Sequence, residues 1–94
     1  MRSTFSSTPG GVMTEEAGAI TGDLELLTRP GESGGVEALV RYAGADEWYR
    51  VAGSPTGSHR GNLRRAHEAI LARLTTPGPV VGGNERPADL KSDG

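Results

Sequence analysis

The sequence predicts a small α+β fold, a three-stranded antiparallel meander with one C-terminal amphipathic helix packed on one face. Three observations predict it. Two runs, DLELLTR (23–29) and VEALVRYA (36–43), alternate side chains at the two-residue period of a strand. A third run, EWYRVA (47–52), follows the second across a short link containing Gly44, a hairpin signal. Beyond a Gly/Ser-rich loop, LRRAHEAILARL (63–74) repeats apolar residues at three- and four-residue spacing, which gathers them on one side of a helix.

In the first strand Leu24 and Leu26 share one face, while Glu25, Leu27 and Arg29 share the other. PGESGG supplies a polar turn. The second strand sets Val36, Ala38, Val40 and Tyr42 on one side and Glu37, Leu39 and Arg41 on the other. The register of the third strand follows from charge. With Gly44 and Ala45 at the centre of a type II′ turn, Val40 faces Tyr49, Ala38 faces Val51, Leu39 faces Arg50 and Arg41 faces Trp48. Moving the turn one residue onward sets Arg41 against Arg50, and a three-residue loop opposes Val40 to Arg50. The helix is expected to start between Ser58 and Asn62, with either side chain as its cap, and to end near Leu74 ahead of Pro77 and Gly78. Leu63, Ala66, His67, Ile70 and Leu74 form its apolar stripe, widened by Leu71.

The ends read differently. Residues 1–18 are rich in Ser, Thr and Gly without an apolar period, and residues 77–94 are interrupted by proline and glycine, so both are expected to be disordered tails around a domain at 19–76. Met13 opens MTEEAGAI and is a candidate translation start. Leu, Ile, Val and Phe make up less than a fifth of the chain, against fifteen glycines and six prolines, so the core must be small.

The absence of cysteine excludes a disulfide framework, a thiolate nucleophile and a cysteine zinc site. No apolar run approaches the length of a membrane span, and MRSTFSSTPGGV lacks the hydrophobic centre of a secretory signal, so the expected location is the cytoplasm. The net charge is −2, and all basic residues but Lys91 are arginine. Carboxylates concentrate in the N-terminal half while 60–73 leans basic, a polarity suited to steering association.

Two surfaces are candidates for function. On the sheet face away from the helix, Leu27, Leu39, Arg41, Trp48 and Arg50 combine an aromatic residue, aliphatics and arginine, the residue types of interface hot spots. Either a partner covers them, or arginine stems shield Trp48 within the monomer. At the start of the helix, Ser58, Arg60, Arg64 and Arg65 surround free N–H groups that suit a phosphate or another anion. Cations there oppose the helix dipole by about 0.3–1 kcal/mol each unless an anion, or Glu68 one turn on, compensates. The order sheet, loop, basic helix start resembles in layout the second half of double-stranded-RNA-binding domains over residues 36–74. That family's N-terminal helix has no counterpart here, and GNLRRAHE stands where its lysine-rich helix start would be.

No metal or cofactor is expected. His59 and His67 have no ligand partners at usual spacing, and His67 belongs to the core edge. Ser54, Thr56 and Ser58 near His59 have no orienting acid, and neither glycine run matches a phosphate-binding or dinucleotide pattern. The sequence therefore predicts a non-catalytic interaction module, a homodimer or subunit contacting its partner through the open sheet face, with nucleic-acid or phosphate binding at the arginine cluster as the alternative.

Overall fold

The computed structural model describes residues 1–57 and 61–91. In chain order the elements are β1 (Arg2–Ser6), β2 (Val12–Thr14), β3 (Gly18–Ile20), β4 (Asp23–Pro30), a 3-10 turn at Glu32–Gly34, β5 (Val36–Tyr42), β6 (Tyr49–Arg50), α1 (Leu63–Leu74), β7 (Val80–Val81) and β8 (Asn84–Glu85).

The class is α+β with antiparallel sheets, but the three-stranded meander is corrected to a four-stranded sheet in the order β1-β4-β5-β6, with two-stranded pairs β2-β3 and β7-β8 beside it. Period-two alternation builds the centre. Leu24, Leu26 and Thr28 of β4 and Val36, Ala38 and Val40 of β5 point to one face and are buried. β4 and β5 pair along their length, from Leu24 opposite Tyr42 to Pro30 opposite Val36.

The expected hairpin register holds where the ladder forms, with Val40 opposite Tyr49 and Leu39 opposite Arg50. The turn itself lies one residue earlier. Ala45 N–H donates to Tyr42 O at 2.9 Å, which makes Ala43 and Gly44 the central pair, with Gly44 at φ 82°. The cause is the neighbouring strand: Ala43 N–H is held by Asp23 O at 2.9 Å, so the β4–β5 ladder carries the chain into the turn before β6 can pair.

Helix α1 starts at Leu63 because the Asn62 side chain accepts from Arg65 N–H at 3.0 Å. Its buried residues are His67, Ile70 and Leu74, with Leu63, Ala66 and Leu71 partly buried beside them. It packs across β4 and β5. Ser58, the other expected cap, lies outside the described residues.

The flanks differ most from expectation. β1 is an ordered edge strand against β4, from Arg2 opposite Leu27 to Ser6 opposite Asp23. β2 joins the far edge through the Thr14–Val51 bridge and the bond from Ala52 N–H to Met13 O, 2.9 Å. Residues 84–91 return alongside, with Ala88 N–H donating to Gly11 O and Leu90 N–H to Ala52 O, both at 2.8 Å. Val12, Ala88 and Leu90, all outside 19–76, are core side chains. Burying one Val or Leu contributes about 1.5–3 kcal/mol, a sizeable part of the roughly 5–15 kcal/mol that separates folded from unfolded domains. The close approach needs Gly53: at φ 94°, any Cβ there would collide with the backbone of Leu90 and Lys91.

Candidate interaction surface

β-strand alternation that buries one face of the sheet necessarily turns a second set of side chains the other way. Arg2 and Thr4 of β1, Glu25, Leu27 and Arg29 of β4, Glu37, Leu39 and Arg41 of β5 and Arg50 of β6 make this second face. Among the described elements α1 is the one that packs across the sheet, and it lies on the opposite side. Leu27, Leu39, Arg41 and Trp48 are half-buried and Arg50 is exposed. The five expected interface residues are thus brought together on one surface.

Charge is organised on this face. Leu27 sits directly opposite Leu39, and ion pairs flank that apolar strip. Arg41 Nε donates to Glu25 Oε1 at 2.6 Å, and both side chains are largely covered, at 20% and 15% exposure. On the other side Glu37 accepts from Arg29 at 3.2 Å and from Arg50 at 3.5 Å. These outer pairs are more exposed and contribute at most about 1 kcal/mol each.

Trp48 is the centre of the face. The Arg41 guanidinium stacks on its ring at 4.4 Å from the centroid, and Arg2 approaches to 5.6 Å. Arg2 belongs to the strand at the opposite edge of the sheet from β6, so this long side chain and the ring meet over the strands between them. Arginine shielding and partial exposure therefore coexist. Both cations lie over the ring, each contact contributing about 0.5–1 kcal/mol at an exposed site, and the ring keeps accessible surface. The part played by Arg2 was not visible in the sequence, where it sits in a stretch with one apolar residue, Phe5. Only the alternation of RSTFS could have signalled it.

At the helix start, Arg64 and Arg65 are exposed, and among the described residues neither forms an ion pair, including the expected one with Glu68. Ser58, His59 and Arg60 lie outside the described residues. The structure therefore brings Arg64 and Arg65 together at the helix start and leaves the other half of that expected cluster undescribed.

His67, on the inward side of α1, is buried at 2% exposure. Its Nε2 is hydrogen-bonded to Ser3 Oγ at 2.7 Å and its Nδ1 to Thr28 Oγ1 at 2.6 Å. Burial lowers its pKa from 6.5, the nearby N-terminal ammonium lowers it further, and Glu68 acts weakly the other way. The Ser3–His67 contact has the length of a nucleophile–base pair, but the group orienting the imidazole is a hydroxyl instead of a carboxylate. We read it as a clamp joining β1, β4 and α1.

A polar cleft of about 440 Å³ lies between the end of α1 and the C-terminal segment, lined in part by Arg73, Thr76, Arg86 and Asp89. Arg73 is already engaged there by Asp89 and the Lys91 carbonyl. Among the described residues no three His, Cys, Asp or Glu side chains gather as a metal site, and no helix is long and apolar enough to cross a membrane. No protein-family model, curated protein or solved structure matches the chain, so the layout shared with double-stranded-RNA-binding domains gains no support from sequence or fold similarity.

Proposed function

We propose that the protein is a small, non-catalytic interaction module of the cytoplasm that docks a protein partner on its open sheet face. The observation that carries this reading is Trp48, half-buried and stacked under Arg41 on the same face as the Leu27–Leu39 pair. Tryptophan and arginine are the side chains most often found at the energetic centre of interfaces. The Glu25–Arg41 pair and the stack hold these groups in place before any partner arrives, which reduces the entropy lost on docking. Affinity capture with the full chain as bait tests it. A protein retained by the wild type and by an Arg64→Ala/Arg65→Ala variant, but lost from Trp48→Ser and Leu39→Ser, supports the face. Equal retention by all four overturns it.

Arg64 and Arg65, exposed and without an ion pair among the described residues, support a second reading, binding of a nucleic-acid backbone or another phosphate at the helix start. In that case affinity for an RNA or DNA duplex falls steeply with salt, and Arg64→Ala/Arg65→Ala reduces the slope by close to two charges' worth. Absence of binding at low ionic strength ends this reading.

A further inference from the structure

We propose that the outer edge of β1 is a pairing surface for a second copy of this chain, joining two four-stranded sheets into one continuous sheet. This contact uses the edge of the sheet, not its face, and stands independently of the docking reading above.

The backbone bonds of β1 leave one edge of the strand open. Met1 and Thr28 exchange bonds in both directions, at 2.8 and 2.9 Å, and Ser7 N–H donates to Gly22 O at 2.9 Å. In an antiparallel ladder the bonded positions alternate, so Met1, Ser3, Phe5 and Ser7 face β4 while the N–H and C=O groups of Arg2, Thr4 and Ser6 point away from it. β1 is the terminal strand of its sheet, so no described strand receives them. Natural edge strands are usually blunted by proline, charged side chains, a bulge, short length or a covering segment; of these β1 has only its short length and the single charge of Arg2. RSTFS has no proline, lysine or glycine, pairs without a bulge, and contains threonine and phenylalanine, which favour strands.

The chemistry of the strand selects the partner and its register. Two copies related by a two-fold axis through Thr4 place Thr4 opposite Thr4, and Arg2 opposite Ser6 of the second copy. All three outward residues of each copy then exchange both their bonds. Ser6 Oγ donates to Asp23 Oδ1 at 3.0 Å, so this register also carries Arg2 to the carboxylate of Asp23 in the second copy, at both ends of the ladder. Arg2 is a long, exposed side chain 5.6 Å from Trp48, and it swings from there to meet that carboxylate. Centring the pair on Arg2 instead would oppose two arginines and shorten the ladder. On the other side of the sheet the contact covers the half-buried Phe5 and Met1, which is 43% exposed. Because the axis is perpendicular to the sheet, the two Trp48 faces end on the same side. A five-residue ladder is a small contact beside a standard stable interface of about 1,600 Å², so the dimer is expected to be a weak one.

Sedimentation equilibrium of the full chain across low to high micromolar concentration tests the proposal, beside Thr4→Pro, Trp48→Ser, Arg2→Asp, Asp23→Arg and the Arg2→Asp/Asp23→Arg double variant. Proline at position 4 removes only an outward N–H and leaves the β1–β4 ladder intact, the setting in which strands tolerate it. The wild type and Trp48→Ser are expected to dimerise, and Thr4→Pro to raise the dissociation constant at least about tenfold with unchanged circular dichroism. If Thr4→Pro unfolds the chain, the charge exchange decides: each single variant weakens the dimer and the double variant restores it. A monomeric wild type at every concentration overturns the edge contact and leaves the face reading untouched. So does a dimer lost in Trp48→Ser but kept in folded Thr4→Pro or unaffected by the charge exchange, which assigns self-association to the face.

Discussion

Leu90→Ala is the sharpest test of how this chain completes its core. Leu90 sits in a segment with little apolar content, yet its side chain is 3% exposed and its N–H is held by Ala52 O at 2.8 Å. Removing a buried leucine side chain costs about 2–5 kcal/mol, the lost transfer energy plus the cavity left behind. The middle of that range, about 3 kcal/mol, lowers the melting temperature of a domain this size by about 10–25 °C. Val81→Ala is the internal control. Val81 is 55% exposed in the neighbouring hairpin, and its truncation is worth no more than about 0.5 kcal/mol. Urea unfolding followed by Trp48 emission and by circular dichroism gives both values, provided the two probes report one transition. If the two variants unfold at the same midpoint as the wild type, residues 84–91 do not dock and the core drawn here is wrong.

Three further outcomes follow from individual contacts. His67 binds a proton in the unfolded chain near its ordinary 6.5 but in the folded chain only at lower pH, so its contribution to stability is complete above 6.5 and is lost as pH falls below it. Urea midpoints measured from about pH 7.5 to 5 should therefore decline for the wild type and flatten in His67→Gln; equal slopes would remove the clamp. Asn62→Ala should cost about 1 kcal/mol and Asn62→Ser much less, because serine keeps an acceptor for the Arg65 N–H; equal losses would mean the cap is not formed. Arg41→Ala should cost about 1–2 kcal/mol and shift Trp48 emission to the red, since it removes both the stack and the partner of Glu25. An unchanged spectrum would place the ring elsewhere.

The parts legible in the sequence were those in which side-chain pattern and packing coincide. Leu24/Leu26 and Val36/Ala38/Val40 announce a buried face by period alone, and rejecting both Arg41 and Val40 opposite Arg50 set the β5–β6 pairing, though not the turn that leads into it. The apolar stripe located α1, and it placed His67 inward without revealing that Ser3 and Thr28 would satisfy both ring nitrogens. β1 was missed because it is held mainly by backbone bonds and by Ser3, none of which leaves an apolar period. Val12, Ala88 and Leu90 sit in segments broken by glycine and proline with no apolar period, and their burial depends on long-range bonds to Gly11, Met13 and Ala52 that no local signal encodes. The five interface candidates were legible because they are the complement of the buried set; that Arg2 joins them depends on β1.

The central claim, that the face opposite the helix receives a protein, is tested most directly by photo-cross-linking in intact cells. A photoreactive amino acid at position 39, in the middle of the face, is compared with one at position 72, on the exposed side of α1. The account predicts a discrete protein adduct from position 39 that disappears when Trp48 is changed to serine, and none from position 72. Adducts from position 72 alone, or none from position 39 while the folded chain is present in quantity, would contradict it.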